Sequence, residues 1–180
     1  FVGDRKCLAT KLISPSVVAC VVPPNAGGPH RVAVATAGKV SPASPAASFT
    51  YDAAVAQTVT PSRGNAGSVV RIDVQSLGLL DFQPTAYIDG RPCTATKWLS
   101  PTAVSCMVPE GTGMDLSVAV VVDGQSAVMH NAFSYVEPVV ESVHPRSGSP
   151  NGGTVVTVRG HGICSSVLLP PAIFLGNATC

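Results

Sequence analysis

The feature that most limits what this chain can fold into is a repeat. Residues 1–23 read FVGDRKCLATKLISPSVVACVVP, and residues 87–109 read YIDGRPCTATKWLSPTAVSCMVP. Ala9, Thr10, Lys11, Ser14, Pro15, Val18 and Val22 recur as Ala95, Thr96, Lys97, Ser100, Pro101, Val104 and Val108, at a constant offset of 86 (95 minus 9). The opening returns again as FLGNATC, Phe174–Cys180. Self-similarity at a fixed period means an array of like units, and it outranks any local assignment.

Each of the first two copies carries two cysteines thirteen residues apart, Cys7 with Cys20 (20 minus 7) and Cys93 with Cys106 (106 minus 93). Metal sites favour close C-x-x-C pairs, and the sequence has none. Two pairs at one repeated spacing read as disulfides, which places the chain in an oxidising, extracytoplasmic setting. The alternative is buried free thiols packing as small apolar residues. Cys164 has no counterpart in the middle copy, where Leu77 stands nearby, so no partner within its own unit is expected. Cys180 stands where a pair begins, and its partner is expected outside these residues.

Composition removes several functions. Charged residues make up 12% of the chain, about half the usual share, while 46% is hydrophobic. Net charge is +1 and no Lys/Arg run exists, so phosphate neutralisation has no footprint and nucleic acid is not an expected partner. No apolar run approaches the length of a membrane span.

Read in order, the chain is a succession of short strands. Phe1–Cys7 is a strand candidate with a turn at Asp4-Arg5, and Val17–Val22 is a β-branched run expected to be a buried strand. Pro23–Pro29 is a loop and Arg31–Ala35 a strand. Lys39–Ala47 is a proline-rich loop, and Ser48–Tyr51 is a closing strand with Phe49 and Tyr51 on one face. The connection to the next unit is too short to permit free rotation. In Ser68–Gln75, Val70, Ile72 and Val74 alternate with Arg71 and Asp73. Leu116–Val122 and Gln125–Val136 flank Asp123-Gly124, a preferred type I′ hairpin pair. Pro145–Gly148 and Gly152-Gly153 are turns, and Thr154–Val158 is a strand. Turn signals every eight to twelve residues, with no helical period, mark a β-sandwich. The division expected is half a unit at 1–51, one complete unit at 52–136, and half of a further unit at 137–180.

The frame Pro145-x-x-Gly148-x-x-x-Gly152-Gly153-Thr154-x-Val156-x-Val158 makes a family recognisable. Together with the turn at Gly176–Cys180, the cysteine pairs and the closing Phe-x-Tyr strand, it resembles the IPT/TIG repeat of immunoglobulin-like, plexin and transcription-factor proteins. The middle copy departs from it at Pro61–Ser68, which is two residues shorter and has one glycine where the third copy has two. The resemblance implies an all-β chain of tandem immunoglobulin-like (IPT/TIG) β-sandwiches of about seven strands each. It does not fix function, because such domains occur in receptor ectodomains, adhesins and fibres, beside glycan-degrading domains and in DNA-binding regulators.

No catalytic, cofactor or metal constellation emerges. His30, His130, His144 and His161 lie in four unrelated loops or strand ends, without H-x-x-x-H spacing. Asp4, Asp89 and Asp123 fall in turns, where aspartate bonds its own backbone; calcium at unit junctions is the competing use. Gly160-His-Gly162 lacks the third glycine and the helix of a phosphate cradle. Trp98 replaces Leu12 and reads as core or groove packing rather than a sugar platform. Asn177-Ala178-Thr179 is an N-glycan acceptor sequence. The loop holding Ser41, Pro42, Ser44 and Pro45 is a candidate for O-linked or hydroxyproline-linked sugar.

The expected function is therefore a non-enzymatic extracellular structural or adhesive repeat protein. Its low charge leaves exposed β-surface to be kept soluble by sugar or by burial against copies of itself. That points to a stiff rod assembling into a glycosylated fibre or surface coat, with copies of itself and covalent glycans as partners. The alternatives are the stalk of a cell-surface receptor ectodomain and an accessory module of a secreted polysaccharide-active enzyme. A DNA-binding regulator fits neither the charge nor the cysteines.

Overall fold

The structure is a computed structural model that describes residues 1–42, 44–162, 172–176 and 178–179. Every regular element among them is a strand. The first repeat contributes β1 (Ala9–Ser14), β2 (Val17–Val21), β3 (His30–Arg31), β4 (Ala35–Thr36), β5 (Lys39–Val40) and β6 (Ser48–Phe49). The middle repeat contributes β7 (Val55–Thr60), β8 (Arg63–Gly64), β9 (Val69–Gln75), β10 (Thr85–Ile88) and β11 (Arg91–Pro92). It continues with β12 (Ala95–Ser100), β13 (Ala103–Met107), β14 (Leu116–Val122) and β15 (Gln125–Tyr135). The third contributes β16 (Val139–His144), β17 (Thr157–His161), β18 (Phe174–Leu175) and β19 (Ala178–Thr179).

The middle repeat closes into a sandwich of a four-stranded sheet, β12-β13-β9-β7, and a five-stranded sheet, β11-β10-β14-β15-β8. Period-2 alternation sends one set of side chains from each sheet into the shared interior. Val70, Ile72 and Val74 of β9 are fully buried, as are Val104 and Cys106 of β13 and Val118 and Val120 of β14. Phe133 of β15 and Ile88 of β10 complete the layer. Each such aliphatic contributes roughly 1.5–3 kcal/mol on leaving water. The β14–β15 hairpin turns at Asp123 (φ 43°) and Gly124 (φ 79°), the left-handed pair that a type I′ turn requires.

The repeat seen in the text is a repeat in hydrogen bonding. β1 pairs with β2 from Ala9↔Val21 to Ser14↔Val17, with a bulge after Leu12. β12 pairs with β13 from Ala95↔Met107 to Ser100↔Ala103, with the bulge after Trp98, 86 residues later (98 minus 12). β16 and β17 pair from Val139↔His161 to His144↔Thr157, with a bulge after Val140. β7 and β9 show the same ladder from Val55↔Gln75 to Thr60↔Arg71, with the bulge after Ala56. Cys7–Cys20 and Cys93–Cys106 form disulfides, with Cα atoms 5.7 and 5.5 Å apart.

Four local expectations are corrected. Val17–Val21 is a strand but exposed throughout; among the described residues it pairs with β1 alone, whereas β13 in the middle repeat is flanked by β12 and β9. The strand expected at Thr154–Val158 runs instead over Thr157–His161. The residues matching Val69 and Val70, which pair only with β13 in the middle repeat, have no such partner among the described residues. Arg31–Ala35 is broken into β3 and β4, since Pro42 and Pro45 in the returning segment lack the N–H a ladder needs. The first turn centres on Gly3-Asp4, closed by a Val2↔Arg5 bridge, rather than on Asp4-Arg5.

Candidate functional site: the joint between the first and middle repeats

The best-built polar and apolar cluster outside the sandwich core lies where the loop 23–29 of the first repeat meets the β14–β15 turn and the segment 76–84 of the middle repeat. Ala26 and Ala54 are buried at 3% and 6% exposure and belong to the same apolar cluster as β9 and β14, so the middle repeat's core runs into the joint. Gly27 (φ 66°) is buried against the turn, and a Cβ there would stand 2.5 Å from both the Cβ and the backbone oxygen of Asp123. Glycine is required twice over, for the left-handed backbone and for the close approach.

Polar contacts fix the contact face. His30 Nε2 lies 2.7 Å from the Ala26 carbonyl and 3.3 Å from Asp123 Oδ2. Both neighbours are acceptors, so this nitrogen carries the hydrogen. Gln125 Nε2 donates to the Tyr51 carbonyl at 3.4 Å. The Arg5 guanidinium sits 5.5 Å above the Phe82 ring, a cation–π contact across the joint. Gly78 admits the Phe82 ring, which a Cβ would meet at 2.6 Å.

Behind the joint, each of the first two repeats locks its loop with a tyrosine. Tyr51 Oη donates to the Pro23 carbonyl at 2.6 Å, and Tyr135 Oη to the Pro109 carbonyl at 2.8 Å. Phe49 and Phe133 pack edge-on against these rings at 5.0 and 5.3 Å. Burial pushes both phenol pKa values up; Arg5 offsets part of this at Tyr51, and Arg91 part of it at Tyr135. Gly111 lets Tyr135 reach its acceptor, since a Cβ there would stand 2.6 Å from Oη.

The structure scatters the remaining candidates. Asp123 and His30 meet in the joint, whereas His161 pairs at 2.7 Å with Glu141 on an exposed face. No group of three or more His, Cys, Asp or Glu that could hold a metal ion occurs among the described residues. Trp98 lies half-buried on the edge strand β12, its Nε1 enclosed without a hydrogen-bond partner, beside an open cleft of about 620 Å³ that Asp81, Gln83 and Lys97 also line. Pro42, Ser44 and Pro45 are exposed, while Ser41 is half-buried and its Oγ accepts the Val34 N–H at 3.2 Å. Asn177, Cys164 and Cys180 lie outside the described residues. Sequence reasoning did not find the joint. Gly27, Arg5 and Phe82 carry no pattern of their own, and Asp123 and Gln125 read as ordinary hairpin residues; the only signal was the adjacent glycines at 27–28.

Stacked sheets, one disulfide across the equivalent hairpin of each of the first two repeats, and a closing aromatic strand locked to a proline carbonyl define tandem immunoglobulin-like sandwiches. The chain belongs to the IPT/TIG domain family, whose profile matches residues 1–51, 54–135 and 138–180. It is 31% identical to fibrocystin-L of Mus musculus over 166 residues, 89% of this chain and 4% of that protein. It is 25% identical to Plexin-2 of Caenorhabditis elegans over 168 residues, 91% of this chain and 9% of that one. Among solved structures, the full extracellular region of plexin A4 aligns with 64% of the chain and 10% of its own length, at 22% identity and a TM-score of 0.44. The chain thus spans a small fraction of the curated relatives it matches.

Proposed function

We propose that this chain is a non-enzymatic spacer, a stretch of a rod of IPT/TIG sandwiches in the ectodomain of a cell-surface protein. The observation that carries the reading is the joint: a buried glycine, two buried alanines and three cross-repeat polar or cation–π contacts hold one sandwich against the next. A spacer needs such a surface, because it holds distance and direction only if its units do not swivel. Two disulfides agree with an oxidising exterior. The occurrence of IPT/TIG repeats in receptor ectodomains, with the plexin and fibrocystin-L matches, favours a stalk over a free fibre. The units are a half at 1–51, a whole at 52–136 and a half at 137–180. Sugar on Asn177, and on the exposed Ser44 and Pro45 beside Ser41 and Pro42, would keep this weakly charged rod soluble.

The test is surface labelling of intact source cells with an antibody to residues 54–135, followed by membrane washing at high pH. A stalk is labelled from outside and stays with the membrane. Label released by the wash into filaments visible by electron microscopy would favour the fibre or coat instead. Label reached only after permeabilisation would overturn both.

A further inference from the structure

We infer that the cleft beside Trp98 in the middle repeat is a binding site for a neutral hexose, free or at the end of a glycan chain. The site is built entirely from residues of the complete sandwich. β12 is the outermost strand of the four-stranded sheet, and in the five-stranded sheet β11 pairs only with Tyr87 and Ile88 of β10. On that side the start of β10 has no strand beside it among the described residues. The cleft of about 620 Å³ occupies the gap between this start, the segment leading into it and β12. The Ala86 N–H donates across the gap to Thr96 Oγ1 at 3.0 Å, which leaves the Thr96 hydroxyl hydrogen to donate in turn.

The lining selects the class of ligand. Asp81 brings a carboxylate, Lys97 an ammonium, Gln83 an amide, and Thr85 and Thr94 hydroxyls. One acid and one base cancel, so the cleft favours neither an anion nor a cation. Its polar wall also disfavours a purely apolar ligand. No ion pair engages Asp81 or Lys97 among the described residues. Asp81 Oδ1 accepts the Gln83 N–H at 2.8 Å, and its second oxygen is left to accept from a ligand. Donors and acceptors therefore stand side by side, which suits a pyranose, whose hydroxyls both donate and accept. Trp98 adds an apolar ring and a polar handle. Its Nε1–H is enclosed with no acceptor among the described residues, a state that native folds rarely leave uncorrected. A hydroxyl oxygen held in the cleft is the acceptor that a turn of the ring would reach. The first repeat gives the contrast. Leu8 and Leu12 of that repeat become Thr94 and Trp98 (94 minus 8 is 86), while Thr10 and Lys11 are kept as Thr96 and Lys97. The middle repeat thus places two hydrogen-bonding side chains at the cleft where the other copy has aliphatic ones.

The experiment uses the isotope-labelled 180-residue chain, whose one tryptophan gives one indole N–H signal by NMR. Methyl α-mannoside, methyl β-galactoside and methyl β-glucoside are titrated into it, with sorbitol as an open-chain control. The same chain is applied to an array of printed neutral glycans. At least one glycoside is expected to move the indole signal and the Thr94 and Lys97 amides saturably at millimolar concentration, while sorbitol does not. Array binding places the hexose at the end of a chain; glycoside binding with a blank array makes it a free sugar. Trp98→Leu restores the first repeat's residue at a ladder position where leucine is already accommodated. It is expected to abolish binding, read from the amides, and Asp81→Asn to weaken it about tenfold. Urea unfolding of both variants checks that the sandwich is intact. Binding indifferent to both substitutions, a shift that sorbitol reproduces, or no shift with any of the three glycosides together with a blank array would each overturn the proposal. Sugar binding does not decide membrane retention, so the stalk reading stands or falls separately.

Discussion

Tyr135→Phe removes one oxygen and is the sharpest probe of how the repeats are locked. Tyr135 is 8% exposed, its Oη lies 2.8 Å from the carbonyl of buried Pro109, and Gly111 keeps the approach clear. Phenylalanine fills the same volume but leaves that carbonyl unpaired away from water, a loss of about 1–3 kcal/mol. Tyr51→Phe deletes the same bond in the first repeat, where the ring is only half-buried and water can replace the hydroxyl; there the loss is about 0.5–1.5 kcal/mol. For a domain of this size each kcal/mol moves the midpoint by about 4–8 °C, so Tyr135→Phe should lower the middle repeat's melting by more than about 4 °C. The assay is thermal and urea unfolding of the full chain and of each variant.

The same variant carries a pH signature. Burial raises the folded pKa of Tyr135 above 10.0, its ordinary value. The stabilisation is complete below pH 10 and is lost as pH rises through the raised folded value. Tyr135→Phe should flatten that alkaline loss. Equal losses for Tyr51→Phe and Tyr135→Phe, or an unchanged alkaline limb, would refute the reasoning.

Other perturbations separate core, staple and joint. Ile72→Ala opens a cavity at the centre of the sandwich and should lose about 2–5 kcal/mol by urea unfolding. Reducing Cys93–Cys106 should destabilise the middle repeat by about 3 kcal/mol, the loop-closure figure for a separation of 13 residues, read as a shift in urea midpoint with and without reductant. Gly27→Ala forces a Cβ into Asp123; it should loosen the first repeat from the middle one, seen as independent tumbling by NMR relaxation, while the middle repeat keeps its own melting point to within a few degrees.

The fold was legible because the features that fix it are local or repeated. The alternation of Val70, Ile72 and Val74, the Asp123-Gly124 turn and the two cysteine spacings each specify one geometry. The frame around Pro145 and Gly148 named the family. What stayed hidden depends on which surfaces meet. Val17–Val21 reads as a buried strand because its composition is that of β13, yet burial is a property of the neighbours, and among the described residues β2 pairs with β1 alone. The strand near Val156 begins late for the same reason. The joint was invisible because Gly27 and Asp123 lie 96 positions apart (123 minus 27), and turn residues that contact another repeat look like turn residues that contact water.

A spacer of this kind requires the first and middle repeats to form one stiff body. Residual dipolar couplings from amides of both repeats, in one weakly aligned sample of the full chain, test it most directly. A single alignment tensor should fit residues 1–51 and 54–135 together, with Gly27→Ala splitting it into two. Two different tensors in the unmodified chain would mean the units swivel, and the joint would not be the spacer's working part.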